Sequence, residues 1–203
     1  MRLLAVGCWL LAVGCLLSSC SKAGETLSSF FGSTTSSEYS TWPCSFYYEN
    51  LQNAEALQPA LAIHSGVFCK ISERVRAGKK YFYFENSSGL STEVPQYDTY
   101  RKNIIGLNNG IIVGYQTLVT EPYGGFIGYD VQCPNCVRRE NNTINPNYPV
   151  TIDSKGLATC TVCKKVYNMN NGGIIQNGEE GDTGLAKYAA VTDGINISVF
   201  RKQ

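Results

Sequence analysis

The sequence predicts a mainly β fold, a small antiparallel domain, and three observations carry that expectation. Aromatic and β-branched residues come in short runs such as Tyr81-Phe82-Tyr83-Phe84 and Ile111-Ile112-Val113, the composition of pleated, packed strands. Asn109-Gly110 and Asp193-Gly194 punctuate such runs, and both pairs tolerate the positive φ of tight hairpin turns. No internal period of the solenoid or propeller kind is present.

Taken from the N-terminus, the chain opens with one early positive charge at Arg2, an apolar run from Leu3 to Leu17, and then Leu17-Ser18-Ser19-Cys20. That order matches a bacterial lipobox, with cleavage after Ser19 and acyl chains on Cys20. An ordinary signal peptide would lack the cysteine, and a membrane-spanning helix needs a longer apolar run. Several acyl chains anchor stably where one is marginal. Ser21, rather than an aspartate, follows the lipidation site, which points to the outer membrane of a cell envelope. Residues 20–41, rich in Ser, Thr and Gly, read as a flexible tether between lipid and domain. Residues 42–203 then form the domain.

Loss of residues 1–19 removes Arg2 and no acid, so the 17 basic and 16 acidic side chains become 16 of each. A formally neutral chain has no general electrostatic pull toward nucleic acid. The 184 residues that remain, from a chain 43% hydrophobic, suffice for one packed domain.

Leu51 to His64 carries Leu and Ala at near-helical spacing, with Leu57 and Leu61 four apart, and predicts a short N-terminal helix limited by Pro59. Tyr81-Phe82-Tyr83-Phe84 predicts a strand buried on both faces rather than a platform for stacking a ligand. Asn108-Asn109-Gly110 predicts a hairpin between Ile104-Ile105 and Ile111-Ile112-Val113, and Asp193-Gly194 one between Tyr188–Val191 and Ile195–Phe200.

Of nine cysteines, Cys8 and Cys15 leave with the signal and Cys20 takes the lipid, so six remain. An oxidising compartment allows a Cys44–Cys69 disulfide or leaves the two as separate buried thiols. The other four form Cys133-Pro134-Asn135-Cys136 and Cys160-Thr161-Val162-Cys163. A Cys-x-x-Cys turn faces two thiolates toward one ion while backbone amides hydrogen-bond the sulfurs, and two such turns complete a tetrahedron. Arg138, Arg139, Lys164 and Lys165 follow the pairs; they either offset the thiolate charge or are ordinary solvated loop charges.

The order of features from Asn108 to Phe200 resembles a Rieske-type domain, the β fold that carries a two-iron two-sulfur cluster on two loops. Gly124-Gly125-Phe126-Ile127-Gly128-Tyr129-Asp130-Val131-Gln132-Cys133-Pro134 is similar to the strand entering that family's first ligand loop. Cys160 to Gly173 is similar to the second, where an aromatic (Tyr167) and a glycine (Gly172) follow the last cysteine four and nine residues on. The resemblance implies an antiparallel β-sandwich with a two-loop metal-binding subdomain within residues 130–178. It departs from the family at the ligands: Asn135 stands in the place of the first histidine and Cys163 in that of the second. Cys136 lies one residue beyond the expected ligand. Arg138 and Val162 occupy the positions of the inter-loop disulfide that respiratory members carry. The chain's one histidine, His64, lies 69 residues before Cys133, so a two-histidine iron cannot be built. The expectation is therefore a Rieske-like scaffold with a zinc-ribbon or rubredoxin-like site at Cys133, Cys136, Cys160 and Cys163.

Zinc leads among the ions, because a single-arginine signal implies export of an unfolded chain that would not carry a preassembled cluster. Iron, as a single ion or a two-iron two-sulfur cluster, and a metal-free form with disulfides are the alternatives. The functional expectation is a lipid-anchored protein that binds a protein or glycan partner with a structural metal, and the alternative is a tethered electron carrier. Thiol–disulfide exchange at Cys133-Pro134-Asn135-Cys136 is disfavoured because Gly128 to Gln132 reads as a strand entering a turn, not a helix N-terminus. No catalytic residue is expected: there is no Gly-x-Ser-x-Gly elbow, and His64 reads as a helix-end or core residue. Glu179, Glu180 and Asp182 read as a solvated loop rather than a carboxylate pair or calcium site.

Overall fold

The structure, a computed structural model, describes residues 39–97, 101–118 and 125–202. The signal segment, Cys20 and all but the last residues of the tether lie outside them. Twelve strands are present among the described residues: β1 (Ser45–Tyr48), β2 (Phe68–Arg76), β3 (Lys79–Asn86), β4 (Ser91–Pro95), β5 (Ile111–Tyr115), β6 (Phe126–Asp130), β7 (Val150–Ile152), β8 (Leu157–Cys160), β9 (Val166–Asn168), β10 (Ile174–Ile175), β11 (Lys187–Thr192) and β12 (Ile197–Phe200). One short helix, α1, spans Pro134–Arg139. An eight-stranded sheet runs in the order β1-β12-β11-β6-β5-β2-β3-β4, and a four-stranded sheet in the order β10-β9-β8-β7. All pairings within the two sheets are antiparallel. The mainly β, antiparallel class is thus what the chain adopts. No helix among the described residues is long and apolar enough to cross a membrane.

Period-two alternation divides the buried residues into two clusters. On β5, Ile111 and Val113 enter the first cluster with Phe46, Cys69, Ile71, Phe84, Tyr188 and Val199. Ile112, pointing the other way, enters the second with Phe68, Tyr129, Val131, Tyr167, Met169 and three of the paired cysteines. The first cluster is the core of the large sheet. The second joins one face of its middle strands to the small sheet, and that is where the cysteines sit.

Several local expectations are corrected. Leu51 to His64 makes two 3-10 turns, Leu51–Asn53 and Gln58–Leu61, instead of one helix. Pro59 lies in the first turn of the second segment, where it supplies no N–H, and the Gln58 Nε2 donates back to the Leu51 carbonyl. Leu51, Leu57 and Ala60 are nevertheless fully buried, so the apolar spacing reported burial rather than helix. His64 ends up exposed, in a turn at φ 56°, with Nδ1 3.3 Å from the Gln116 carbonyl oxygen, neither in the core nor at an α-helix end.

Tyr81 to Phe84 lies in strand β3, but only Phe82 and Phe84 are buried. Tyr81 and Tyr83 face outward and half-buried, and the Arg74 guanidinium lies 3.2 Å above the Tyr83 ring centroid. The run is amphipathic because tyrosines alternate with phenylalanines. Asn108-Asn109-Gly110 makes a turn, with the Gly110 N–H donating 2.6 Å to the Ile105 carbonyl, yet it joins no hairpin. Ile104 instead exchanges two backbone hydrogen bonds with Ser45 at the start of β1. The Asp193-Gly194 hairpin forms between β11 and β12, with the Asp193 carboxylate accepting the Ile195 and Asn196 N–H groups at 2.9 and 2.6 Å. The tightest hairpin, between β2 and β3, turns on Ala77-Gly78 at φ 48° and 76°, which is the primed geometry matching strand twist.

Candidate metal centre

Two loops build the site. The first leaves β6 beside β7: the Cys133 N–H donates 2.9 Å to the Tyr148 carbonyl, the Val150 N–H donates 2.8 Å to the Val131 carbonyl, and the Tyr148 N–H donates 2.8 Å to Gln132 Oε1. Cys133 then caps α1, with Pro134 in its first turn, a position where proline is preorganised and its missing N–H is not needed. Gly128 to Gln132 is a strand running into a bend, as expected, but the Cys133-Pro134-Asn135-Cys136 motif after it is the start of a short helix, which corrects the expectation that no helix begins there. The helix brings Cys136 round beneath Cys133, and the Val137 N–H donates 3.0 Å to the Cys133 carbonyl.

The second loop joins β8 to β9. The Cys160 N–H donates 2.9 Å to the Lys165 carbonyl, closing a tight turn that puts Lys164 at φ 61°. Inside it the N–H groups of Val162 and Cys163 point at Cys160 Sγ at 3.4 and 3.5 Å. Thr161 fastens the loop to the first one, donating from N and Oγ1 to the Pro149 carbonyl at 3.1 and 2.9 Å.

The four Sγ atoms all lie within 4.8 Å of one another. Cys133 Sγ is 3.6 Å from Cys163 Sγ, and Cys136 Sγ is 3.8 Å from Cys160 Sγ. Four sulfurs about 2.3 Å from one tetrahedral ion would be separated by about 3.8 Å, so the donor set fits a single ion. No disulfide joins any of them, and both close pairs lie well beyond the roughly 2.05 Å of a sulfur–sulfur bond. Cys133, Cys136 and Cys160 are fully buried and Cys163 partly so. Four buried, converging, unbonded cysteines can hold a metal ion.

Burial pushes the Cys133 thiol up to about 11, against the pull of the Tyr167 hydroxyl. Burial also raises Cys136, reinforced by the neighbouring sulfurs. At Cys163 burial works upward too, but the Lys165 backbone N–H and the other cysteines outweigh it and hold that thiol below its usual range. A cation placed among the four would lower all such values, since each ligand must bind as thiolate.

Around the sulfurs, Tyr167 Oη lies 3.0 Å from Cys133 Sγ and accepts a 3.0 Å hydrogen bond from Asn135 Nδ2. Asn135 ties the first loop to the chain entering β11: its Nδ2 donates to the Thr183 carbonyl at 2.9 Å and its Oδ1 accepts the Thr183 N–H at 3.0 Å. Gly173, at φ 72°, lets the chain pass against the Tyr129 ring, where an added Cβ would come within 2.7 Å. Of the four cations beside the motifs, only Arg139 reaches a sulfur, at 3.9 Å from Cys136 Sγ. Arg138 bonds Asn135 Oδ1, Lys164 the Thr161 carbonyl, and Lys165 the Asp182 carboxylate at 2.6 Å. Asp182 is therefore no solvated loop acid: it also accepts the Glu179 N–H, and its side chain is 12% exposed.

Cys44 and Cys69 are free and buried in the first cluster, and burial raises both thiols, Cys44 to about 12. Three contributors to the site had no marker in sequence for these bonds. Asn135 and Thr183 are 48 residues apart, and the carboxylate of Asp130 is buried beneath the first loop, accepting Gln132 N–H at 2.7 Å, Leu107 N–H at 2.7 Å and the Tyr188 hydroxyl at 2.6 Å. Comparison with protein-family models, with curated proteins and with solved structures finds no match for the chain.

Proposed function

We propose that the chain is a lipid-anchored protein of a bacterial cell envelope that acts by binding a partner, and that Cys133, Cys136, Cys160 and Cys163 hold one structural zinc ion in a Rieske-like domain. The observation that carries the metal reading is the convergence of four unbonded Sγ atoms within 4.8 Å. A two-iron cluster divides its thiolates between two irons with sulfides between them, which calls for a wider spread than one ion does. Zinc in such a site cross-links two loops and contributes directly to folding, without redox chemistry. The Rieske-like description is supported by the two ligand loops, β6 to β7 and β8 to β9, and by Tyr167 against a ligand sulfur. The envelope assignment rests on the lipobox at Cys20.

A second reading, a tethered electron carrier with one iron, is favoured by one feature. Cys163 is the ligand left partly exposed, which gives an electron a short path to a docked partner. Thiol–disulfide exchange is not supported in spite of α1: Cys133 is pushed up to about 11, the reverse of an activated thiol.

Elemental analysis of the exported, folded protein decides between the readings. One zinc per chain and no visible absorption is the expected result. Iron with a coloured, reversible redox couple would replace the binding reading with the carrier one, and no metal with no free thiols would overturn both.

A further inference from the structure

On the side of the large sheet near the β2–β3 turn, a cleft of about 1330 Å³ opens between β3, the end of β4 and residues 101–109. Roughly 300–1,000 Å³ is usual for a small-molecule site, so this cleft has room for several linked units. Among the described residues its walls carry four cations, Lys79, Lys80, Arg101 and Lys102, against one carboxylate, Glu73. The whole chain has a formal net charge of only +1, so the positive field is local to this place.

The walls are fastened from within. Glu73 accepts from Lys80 Nζ at 2.9 Å and from Gln96 Nε2 at 3.0 Å. The Asn109 side chain bonds the Glu73 backbone twice, accepting its N–H at 2.7 Å and donating to its carbonyl at 2.8 Å. Gln96 N–H continues the β3–β4 pairing by donating 3.0 Å to the Lys80 carbonyl. The cleft is therefore built before any ligand arrives. Lys79 and Lys102, in contrast, make no ion pair among the described residues. Beside them Tyr97, 87% exposed, and Tyr81, half-buried, also line the space.

We infer that this cleft binds an acidic oligosaccharide, a chain of sugar rings carrying one carboxylate every one or two units. The tyrosine rings suit the apolar faces of sugars, and two ammonium groups without an ion pair suit a ligand that carries few carboxylates. A nucleic acid strand carries a phosphate at every unit and would set that density against Glu73, with only two uncommitted lysines to neutralise it. The inference goes beyond the metal reading and needs no ion, since among the described residues the side-chain hydrogen bonds and ion pair that fasten the cleft walls do not involve the cysteine loops.

The test is calorimetric titration of the full metal-bearing chain with an oligogalacturonate, a neutral maltooligosaccharide of equal length, inorganic phosphate, and a single-stranded oligonucleotide. The expected result is binding of the oligogalacturonate that weakens with salt and falls about tenfold or more in a Lys79→Ala/Lys102→Ala double variant. Lys79→Arg/Lys102→Arg should retain it. Metal content is measured on every sample, so failure of the metal reading shows independently of failure in the cleft. No binding, an unaffected double variant, equal affinity for the neutral oligomer or for phosphate, or tighter binding of the oligonucleotide would each overturn the inference.

Discussion

In the large sheet, β2 and β3 pair over eight residues, and the cluster beneath them includes Phe46, Phe82 and Phe84 packed edge-on and tilted at 5.4 and 6.4 Å between ring centroids. In the small sheet no strand is longer than four residues, and its strands contribute only Val150, Ala158, Cys160 and Tyr167 to a cluster shared with Cys133, Cys136 and the middle strands of the large sheet. A sheet of strands that short buries little apolar area of its own. The difference teaches where the chain relies on apolar area and where an ion would matter most: the large sheet is held by buried rings, while under the proposed metal reading an ion at the four cysteines would join the two loops of the small one.

The largest expected effect is loss of that cross-link. Cys160→Ser or removal of the ion by a chelator should remove a contribution bounded by the roughly 10–16 kcal/mol apparent for small structural zinc sites. Hydrogen exchange should open in residues 150–175 while β2 and β3 stay protected, because their pairing owes nothing to the sulfurs. Uniform loss of protection would break the comparison, and an unchanged melting temperature in both Cys133→Ser and Cys160→Ser would remove the structural role altogether.

The reciprocal experiment acts on the other region. Phe84 is fully buried, 5.1 Å from the Tyr48 ring centroid, and Phe84→Ala should cost about 3–5 kcal/mol. Metal stoichiometry in the folded variant should not change. A variant that folds yet loses its ion would mean that the two clusters act as one.

These two regions were unequally legible in the sequence. The paired Cys-x-x-Cys motifs are local and mark their chemistry by spacing, and Asp193-Gly194 names its own turn. The helix α1 was hidden because six residues hold too few apolar positions to show a period; Pro134 was the one available signal. Ile104 was expected across from Ile111 but pairs with Ser45, since a strand's partner depends on chain far away in sequence. Asn135, Thr183 and Asp130 join the loops to the rest through long-range polar bonds, and no spacing rule encodes those.

Asp130 sits on the border, bonded to Tyr188 of the first cluster and to the N–H of Gln132 beside the first ligand. Burial pushes its carboxyl up to about 6 from 3.8, against three hydrogen bonds that favour the charged form. Because the folded state holds this proton more tightly, the group's contribution favours folding most below pH 4 and is lost as pH rises from about 4 to 6. The loss is on the order of 3 kcal/mol. Asp182 and Asp193, whose values are lowered, slope the other way, so the measurement is a difference. Denaturant unfolding of Asp130→Asn against the unaltered chain should show a gap that changes by that amount across pH 4–6 and is flat above pH 7. A gap independent of pH would show that this carboxyl titrates normally.

The smallest effect isolates the hydroxyl of Tyr167, which belongs to the small sheet alone. Its oxygen already accepts from Asn135 Nδ2, so its own proton is free to point at Cys133 Sγ, 3.0 Å away. A donor on a ligand sulfur stabilises the thiolate over the thiol and thereby favours the bound ion. Tyr167→Phe keeps the ring that fills the cluster and deletes only that donor, while Asn135 keeps its bond to the Thr183 carbonyl. Competition with a coloured chelator should show metal affinity lowered about 10–100-fold, with the exchange pattern of β2 and β3 unchanged. If affinity is unchanged, the hydroxyl serves packing and the Asn135 link, and the cross-link in the small sheet is set by the four sulfurs and their loop amides.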